Sequence, residues 1–178
     1  MKDFNGKVAF ITGAAHGFGK AIATKAASLG MKLTLVDQDK AALSKVADEL
    51  SKSTEVLKIV ADVTEEKNVD NAVDEAMKKY NEIDLLVNDA GVAVPGPIWE
   101  LPTRDWEWIL HADLMSQVYA LKKVIPIMMK QENGGDILNV ASAAGLLTAP
   151  GMPAYYATKF AVVGMTEAVA YDLQAYKQ

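Results

Sequence analysis

The sequence predicts one α/β domain, a doubly wound parallel sheet with helices on both faces. Three observations carry that expectation. Five short apolar runs recur along the 178 residues, each is followed by a stretch with apolar residues at helical spacing, and the runs end on glycine, a carboxylate, an amide or a serine. Short apolar runs bounded by turn residues read as buried strands, and their alternation with helices implies parallel pairing through crossover connections. In such a sheet ligands bind beyond the carboxyl ends of the strands, so the residues that close each run are the first candidates for a site.

The length suits a single domain, 1–178, with a substantial core. With 51% apolar and 23% charged residues the composition is that of a globular protein. A net charge of -5, with no cluster of Lys and Arg, argues against a nucleic-acid partner. The absence of cysteine excludes disulfides and thiolate metal sites, and with two His no metal is expected. Residues 1–6 lack the apolar stretch of a signal peptide, and no apolar run approaches membrane-spanning length. A cytoplasmic protein with no membrane partner is the expectation.

Residues 7–12 form the first strand, and Gly13-Ala14-Ala15-His16-Gly17-Phe18-Gly19 follows before a helical pattern over 20–29 closed by Gly30. Backbone N–H groups at a helix N-terminus attract anions, and a pyrophosphate approaches closely only where no Cβ intervenes. A tight turn with glycine caps would read the same way, so the context matters. A second strand, 32–36, ends at Asp37, near the ~20-residue separation at which an acidic residue holds an adenosine ribose. Asp37 would repel a ribose 2'-phosphate and accept from a free 2'-hydroxyl, which predicts NAD in preference to NADP. His16 opposes this slightly if charged, because it could meet the extra phosphate; an exposed loop residue is its plainer reading.

A helix over about 39–51 follows, then a third strand, 55–61, ending at Asp62-Val63. Asp62 is placed either to contact an adenine amino group or to cap the helix over about 65–80. The fourth strand, 83–87, leads into Asn88-Asp89-Ala90-Gly91, where small residues would let the backbone pass close to a ligand or simply make a turn. A long helical pattern then runs from about 104 to 131, with Pro126 expected to bend or interrupt it. After Gly134-Gly135 the fifth strand, 136–141, reaches Ser142, and a last helix spans about 154–176.

Tyr155 opens that helix and Lys159 lies one turn further along, so the two share a face. A phenol titrates near ~10 in water, and an ammonium beside it favours the phenolate. With the Ser142 hydroxyl to hold a substrate oxygen, the three make an acid/base set suited to a carbonyl and an alcohol. Tyr156 also lies one turn from Lys159, and spacing alone does not choose between the two tyrosines.

Taken in order, Thr12-Gly13-x-x-x-Gly17-x-Gly19, Asp37, Asp62-Val63, Asn88-x-Ala90-Gly91, Ser142 and Tyr155-x-x-x-Lys159 resemble the short-chain dehydrogenase/reductase family over nearly the whole chain. The resemblance implies a Rossmann fold and an NAD(P)-dependent oxidoreductase that interconverts a secondary alcohol and a ketone. It makes Tyr155 the general acid/base, gives Lys159 the tasks of lowering the tyrosine pKa and bonding the nicotinamide ribose, and gives Ser142 that of polarising the carbonyl. Gly13, His16, Gly17, Phe18, Gly19, Asp37, Asp62, Val63, Asn88, Ala90 and Gly91 become the expected cofactor contacts, with Tyr155 and Lys159. It also implies a homodimer or homotetramer, paired through the helices that carry Asp113 and Tyr155.

Two positions depart from the family pattern. Asp89 stands where members usually carry a second Asn, and Asp113 where the long helix usually offers a catalytic Asn. Each keeps the shape of the amide, loses two N–H donors and can gain a charge. A carboxylate near the tyrosine would oppose phenolate formation, so reduced activity or a shifted pH optimum is expected; a solvated helix carboxylate is the plainer reading of Asp113. Members also normally continue past the last helix with further strands, which predicts a C-terminally incomplete domain whose fifth strand lies at a sheet edge. The rival function, a protein that binds NAD for sensing or structure without turnover, draws on these departures. Residues 92–99 and 146–152, mainly apolar, are expected to line a pocket for an apolar or mixed substrate.

Overall fold

The computed structural model describes residues 3–176. Its strands are β1 (Val8–Thr12), β2 (Lys32–Asp37), β3 (Val56–Val60), β4 (Leu85–Asn88) and β5 (Asp136–Asn139). All neighbouring pairs are parallel, and the sheet order is β3-β2-β1-β4-β5. The chain starts at the centre, builds outward to β3, then crosses back to β4. That reversal beside β1 opens a crevice at the carboxyl ends of β1 and β4, as a doubly wound sheet requires.

Alternation along the central strands supplies two cores. Ala9, Ile11, Leu33 and Leu35 pack with residues of α1 (Gly17–Ser28) and α2 (Lys40–Leu50), including Ala23, Leu43 and Val46. Phe10, Val36 and Leu86 face the other way, against Val69 and Val73 of α3 (Glu66–Tyr80) and, further along the chain, Leu121 and Val124. All five β1 residues are buried, because this strand is covered on both faces and paired on both sides. Strand β5 is paired with β4 and lies at the end of the sheet order, with Leu138 exposed, as expected of an edge strand.

The long helical stretch is interrupted, though not where proline suggests. Helix α4 (Thr103–Leu110) passes through a π-helical turn, His111–Met115, into α5 (Ser116–Met128), and Pro126 sits inside α5. Of the bend or interruption expected at Pro126, the interruption is therefore corrected. Proline removes one N–H bond, and in the last turn of α5 the buried Val124 and Met128 hold the helix on either side of it. The inserted residue of the π turn instead rotates Ala112 and Asp113 inward, both buried. Helix α6 (Pro153–Tyr176) packs on this turn, on α4 and on a 3-10 turn at Ala143–Gly145. No helix among the described residues is long and apolar enough to cross a membrane.

One buried carboxylate ties the start of the sheet. Asp84, just before β4, accepts the Val8 N–H through Oδ2 at 2.8 Å and places Oδ1 3.0 Å from Lys7 Nζ. Asp84→Ala would strand that buried amide, so chemical denaturation should show a loss of about 1–3 kcal/mol. Asp84→Asn, which keeps an acceptor, should lose clearly less.

Candidate active site

The glycine turn is shaped by close packing. Gly13 has φ +67°, and a Cβ there would lie 2.8 Å from the Ala90 nitrogen; a Cβ at Gly19 would overlap the Gly13 carbonyl. The ends of β1 and β4 and the first turn of α1 can meet only because these side chains are absent. Thr12 Oγ1 accepts the N–H groups of Asp89 and Ala90 at 3.2 and 3.3 Å, which fixes the β4 end against β1. His16 is the N-cap residue of α1 but makes no capping bond with its side chain.

A cleft of about 320 Å³ lies over this turn, and among its lining residues are Gly13, His16, Gly17, Asp37, Asp62 and Val63. Ala90 and Gly91 line it from the β4 side. Asp37 is held by two backbone donors, Ala15 N–H at 3.0 Å and Asp39 N–H at 2.9 Å. His16 is exposed, as its plainer reading expected, with Nε2 3.1 Å from Asp39 Oδ2. The Asp39 carboxyl is held below its ordinary value, chiefly by the Ala42 N–H and then by His16. Asp62 does not cap α3, whose N-cap is Glu65; its Oδ1 accepts the Thr64 N–H and hydroxyl and so shapes the turn beside the cleft.

A second cleft, of about 650 Å³, is lined by Phe18, Ser142, Tyr155 and Lys159, and shares Asp89, Gly91 and Val92 with the first. Strand β5 stops at Asn139, and Ser142 caps the 3-10 turn, its Oγ accepting the Ala144 N–H at 3.1 Å. Capping occupies a lone pair and not the O–H proton. The Lys159 ammonium, on a residue only 4% exposed, donates to the Val140 carbonyl at 3.3 Å and lies 5.6 Å from the centre of the Tyr155 ring. Tyr155 lines this cleft and Tyr156 does not, a distinction that helical spacing left open.

Asp113 is fully buried, which corrects the reading of a solvated helix carboxylate. Its Oδ1 accepts the Val92 N–H at 2.6 Å; its Oδ2 accepts the Thr158 hydroxyl at 3.3 Å and stands 3.6 Å from Lys159 Nζ. Burial raises its carboxyl pKa, against the Val92 N–H, Lys159 and Thr158. Asp89 is partly buried, and its Oδ2 accepts the Gly19 N–H at 2.6 Å. Here too burial raises the pKa, opposed by Gly19 and Lys159 and assisted by Asp37. Asn88 lines neither cleft. It donates to Asn139 Oδ1 at 2.8 Å, and its buried Oδ1 lacks a partner among the described residues.

Thr158 and Asn139 escaped the sequence reading. Neither type signals function, and only the packing of α6 brings Thr158 to Asp113 and the Asn139 amide to Thr166. Among the described residues no group of three or more His, Cys, Asp or Glu is arranged to hold a metal ion.

The family model for short chain dehydrogenases matches residues 7–177. The chain belongs to the short chain dehydrogenase family. This family member is 66% identical over 175 residues to a CLA biosynthesis dehydrogenase/reductase of Lactiplantibacillus plantarum, covering 98% of the chain and 61% of that relative. It is 36% identical to 3beta-hydroxysteroid dehydrogenase 2 of Eggerthella lenta, covering 93% of the chain and 65% of that protein. A short chain dehydrogenase/reductase of Burkholderia phymatum, solved in complex with NAD, superposes with a TM-score of 0.97 at 42% identity, over 99% of this chain and 63% of that one. The chain thus spans a little over three fifths of these relatives.

The raised carboxyl of Asp89 has a definite sign in stability. The folded protein binds that proton more tightly than the unfolded chain, whose value is near 3.8, so stability falls as pH rises from there through the folded value. Asp89→Asn keeps an acceptor for Gly19 and removes the titration. Its Tm at neutral pH should exceed that of the parent by about 1–3 °C, with the difference fading below pH ~4.

Proposed function

We propose that the protein is an NAD-dependent oxidoreductase that interconverts a secondary alcohol and a ketone, with Tyr155 as general acid/base. One observation carries this reading: Ser142, Tyr155 and Lys159 line a single cleft that joins the glycine-turn cleft through Asp89, Gly91 and Val92. The residues present fit a dinucleotide. A Cβ at Gly91, which lines both clefts, would reach 3.1 Å from Asp113 Oδ1 and 3.4 Å from Lys159 Nζ, so a glycine lets the chain lie close over that pair.

In this reading the turn Gly13, Gly17, Phe18 and Gly19 receives the pyrophosphate. Asp37 accepts from the adenosine ribose, Asp62 and Val63 border the adenine, and Asn88, Ala90 and Gly91 support the passage to the reactive end. Held by these residues, a nicotinamide dinucleotide would supply the hydride acceptor or donor. The protein moves the proton. In the oxidative direction the Tyr155 oxygen takes it from the alcohol, in the reductive direction it returns it to the carbonyl oxygen, and the Ser142 hydroxyl holds that oxygen in line. Lys159 stabilises the phenolate by its charge and would bond the nicotinamide ribose. The relatives support this reading, since one neighbour was solved with NAD and another, 35% identical, is an NAD+-bound xylitol dehydrogenase.

An apolar or mixed substrate is part of this reading, drawn from Val92 and Ala93 in the cleft lining and from the exposed apolar residues of two loops. The loop after β4 and the loop before α6 are joined by the Gly96 N–H to the Gly151 carbonyl at 2.7 Å, and they expose Ile98, Trp99, Leu146 and Leu147. A homo-oligomer is part of the same proposal, because Val118, Ile125, Met165 and Val169 line an apolar groove shared by α5 and α6. The contact of Asp113 with Lys159 favours a second reading, dinucleotide binding without turnover, because it diverts part of the ammonium's charge from the tyrosine.

The deciding experiment follows absorbance of the reduced cofactor with a panel of alcohols and ketones, beside a cofactor titration. Tyr155→Phe should lower kcat/KM by about 10²-fold or more while NAD affinity changes little. Cofactor binding without turnover in the parent protein would favour the second reading. Asp37→Ala should raise NADP affinity relative to NAD by on the order of tenfold, read in the same titration.

A further inference from the structure

We propose that Asp89 and Asp113, set against the single ammonium of Lys159, make the reactive end of the cleft favour the oxidised over the reduced form of a nicotinamide dinucleotide. This rests on the dinucleotide reading above and extends it to the redox state that the site holds best. Asp113 and Lys159 are both buried and 3.6 Å apart, so their charges largely cancel. Asp113 accepts the Val92 N–H through Oδ1 and faces Lys159 and the Thr158 hydroxyl through Oδ2, contacts that support its ionised form against the cost of burial. Asp89 is the carboxylate left over. It lines both clefts, and its Oδ2 accepts the Gly19 N–H, at a helix N-terminus worth only about half a positive charge.

The oxidised nicotinamide ring carries a positive charge that the reduced ring lacks, whereas the pyrophosphate, riboses and adenine are common to both. Any repulsion between Asp89 and the pyrophosphate therefore weakens both forms alike and drops out of the ratio of their affinities. What remains is the attraction of the uncompensated carboxylate for the charged ring. In a partly solvated cleft this is worth on the order of tenfold in that ratio. The same ratio shifts the equilibrium of hydride transfer on the protein toward the oxidised cofactor, which makes the bound couple the stronger hydride donor.

The test is calorimetric titration of the full-length protein with NAD+ and with NADH at one pH and salt concentration. The parent should bind NAD+ more tightly. Asp89→Asn, which keeps the acceptor for Gly19, should reduce that preference about tenfold. Asp113→Asn is an independent second variant that should reduce it as well. Asp37→Asn, at the ribose end, should weaken both forms and leave the ratio unchanged. An unchanged ratio in both Asp89→Asn and Asp113→Asn, or an equal fall in Asp37→Asn, overturns the proposal. A parent protein that binds neither form overturns the dinucleotide reading itself, which is a distinct result.

Discussion

A buried ammonium must be answered from inside the protein, and the site is arranged around that requirement. Lys159 is almost inaccessible, and its charge is met by the Val140 carbonyl beyond β5 and by the Asp113 carboxylate from the π turn. Asp113 lies in the π turn between α4 and α5, where the helix winds wider and buries this residue. The same carboxylate takes the Val92 N–H from the loop after β4 and the Thr158 hydroxyl from α6. Four separate stretches of chain thus converge on one ion pair. Breaking such a pair costs far more than an exposed one, because the remaining charge stays buried.

The glycine turn obeys a different constraint, one of volume. Backbone of β1, β4 and α1 meets at distances that leave no room for a Cβ at Gly13 or Gly19. That closeness also brings the Asp89 carboxylate onto the Gly19 amide and places it at the junction of the two clefts. The two clefts are therefore joined through Asp89, Gly91 and Val92. Asp37, held by its own two backbone donors, lines the first cleft only, whereas Asp89 lines both.

Much of this is legible in the amino-acid sequence. The strand runs, the glycine turn and the carboxylates at strand ends each have a local signature, and the observed elements fall within a few residues of the expected ones. Thr158 and Asn139 had none, since a threonine in a helix and an asparagine in a strand are ordinary until α6 docks. Pro126 misled for a related reason: proline weakens a helix locally, but flanking buried residues decide whether the helix continues.

The sequence by itself determined the doubly wound architecture, the order of the motifs along the chain and the chemical types available to the site, because periodicity, turn chemistry and spacing are local properties. The tertiary structure alone decided that Asp113 is buried and paired, and that Asp89 joins both clefts. Those are matters of burial and of distance between residues far apart in the chain. Both are set by how helices pack on the sheet, and no local pattern encodes them.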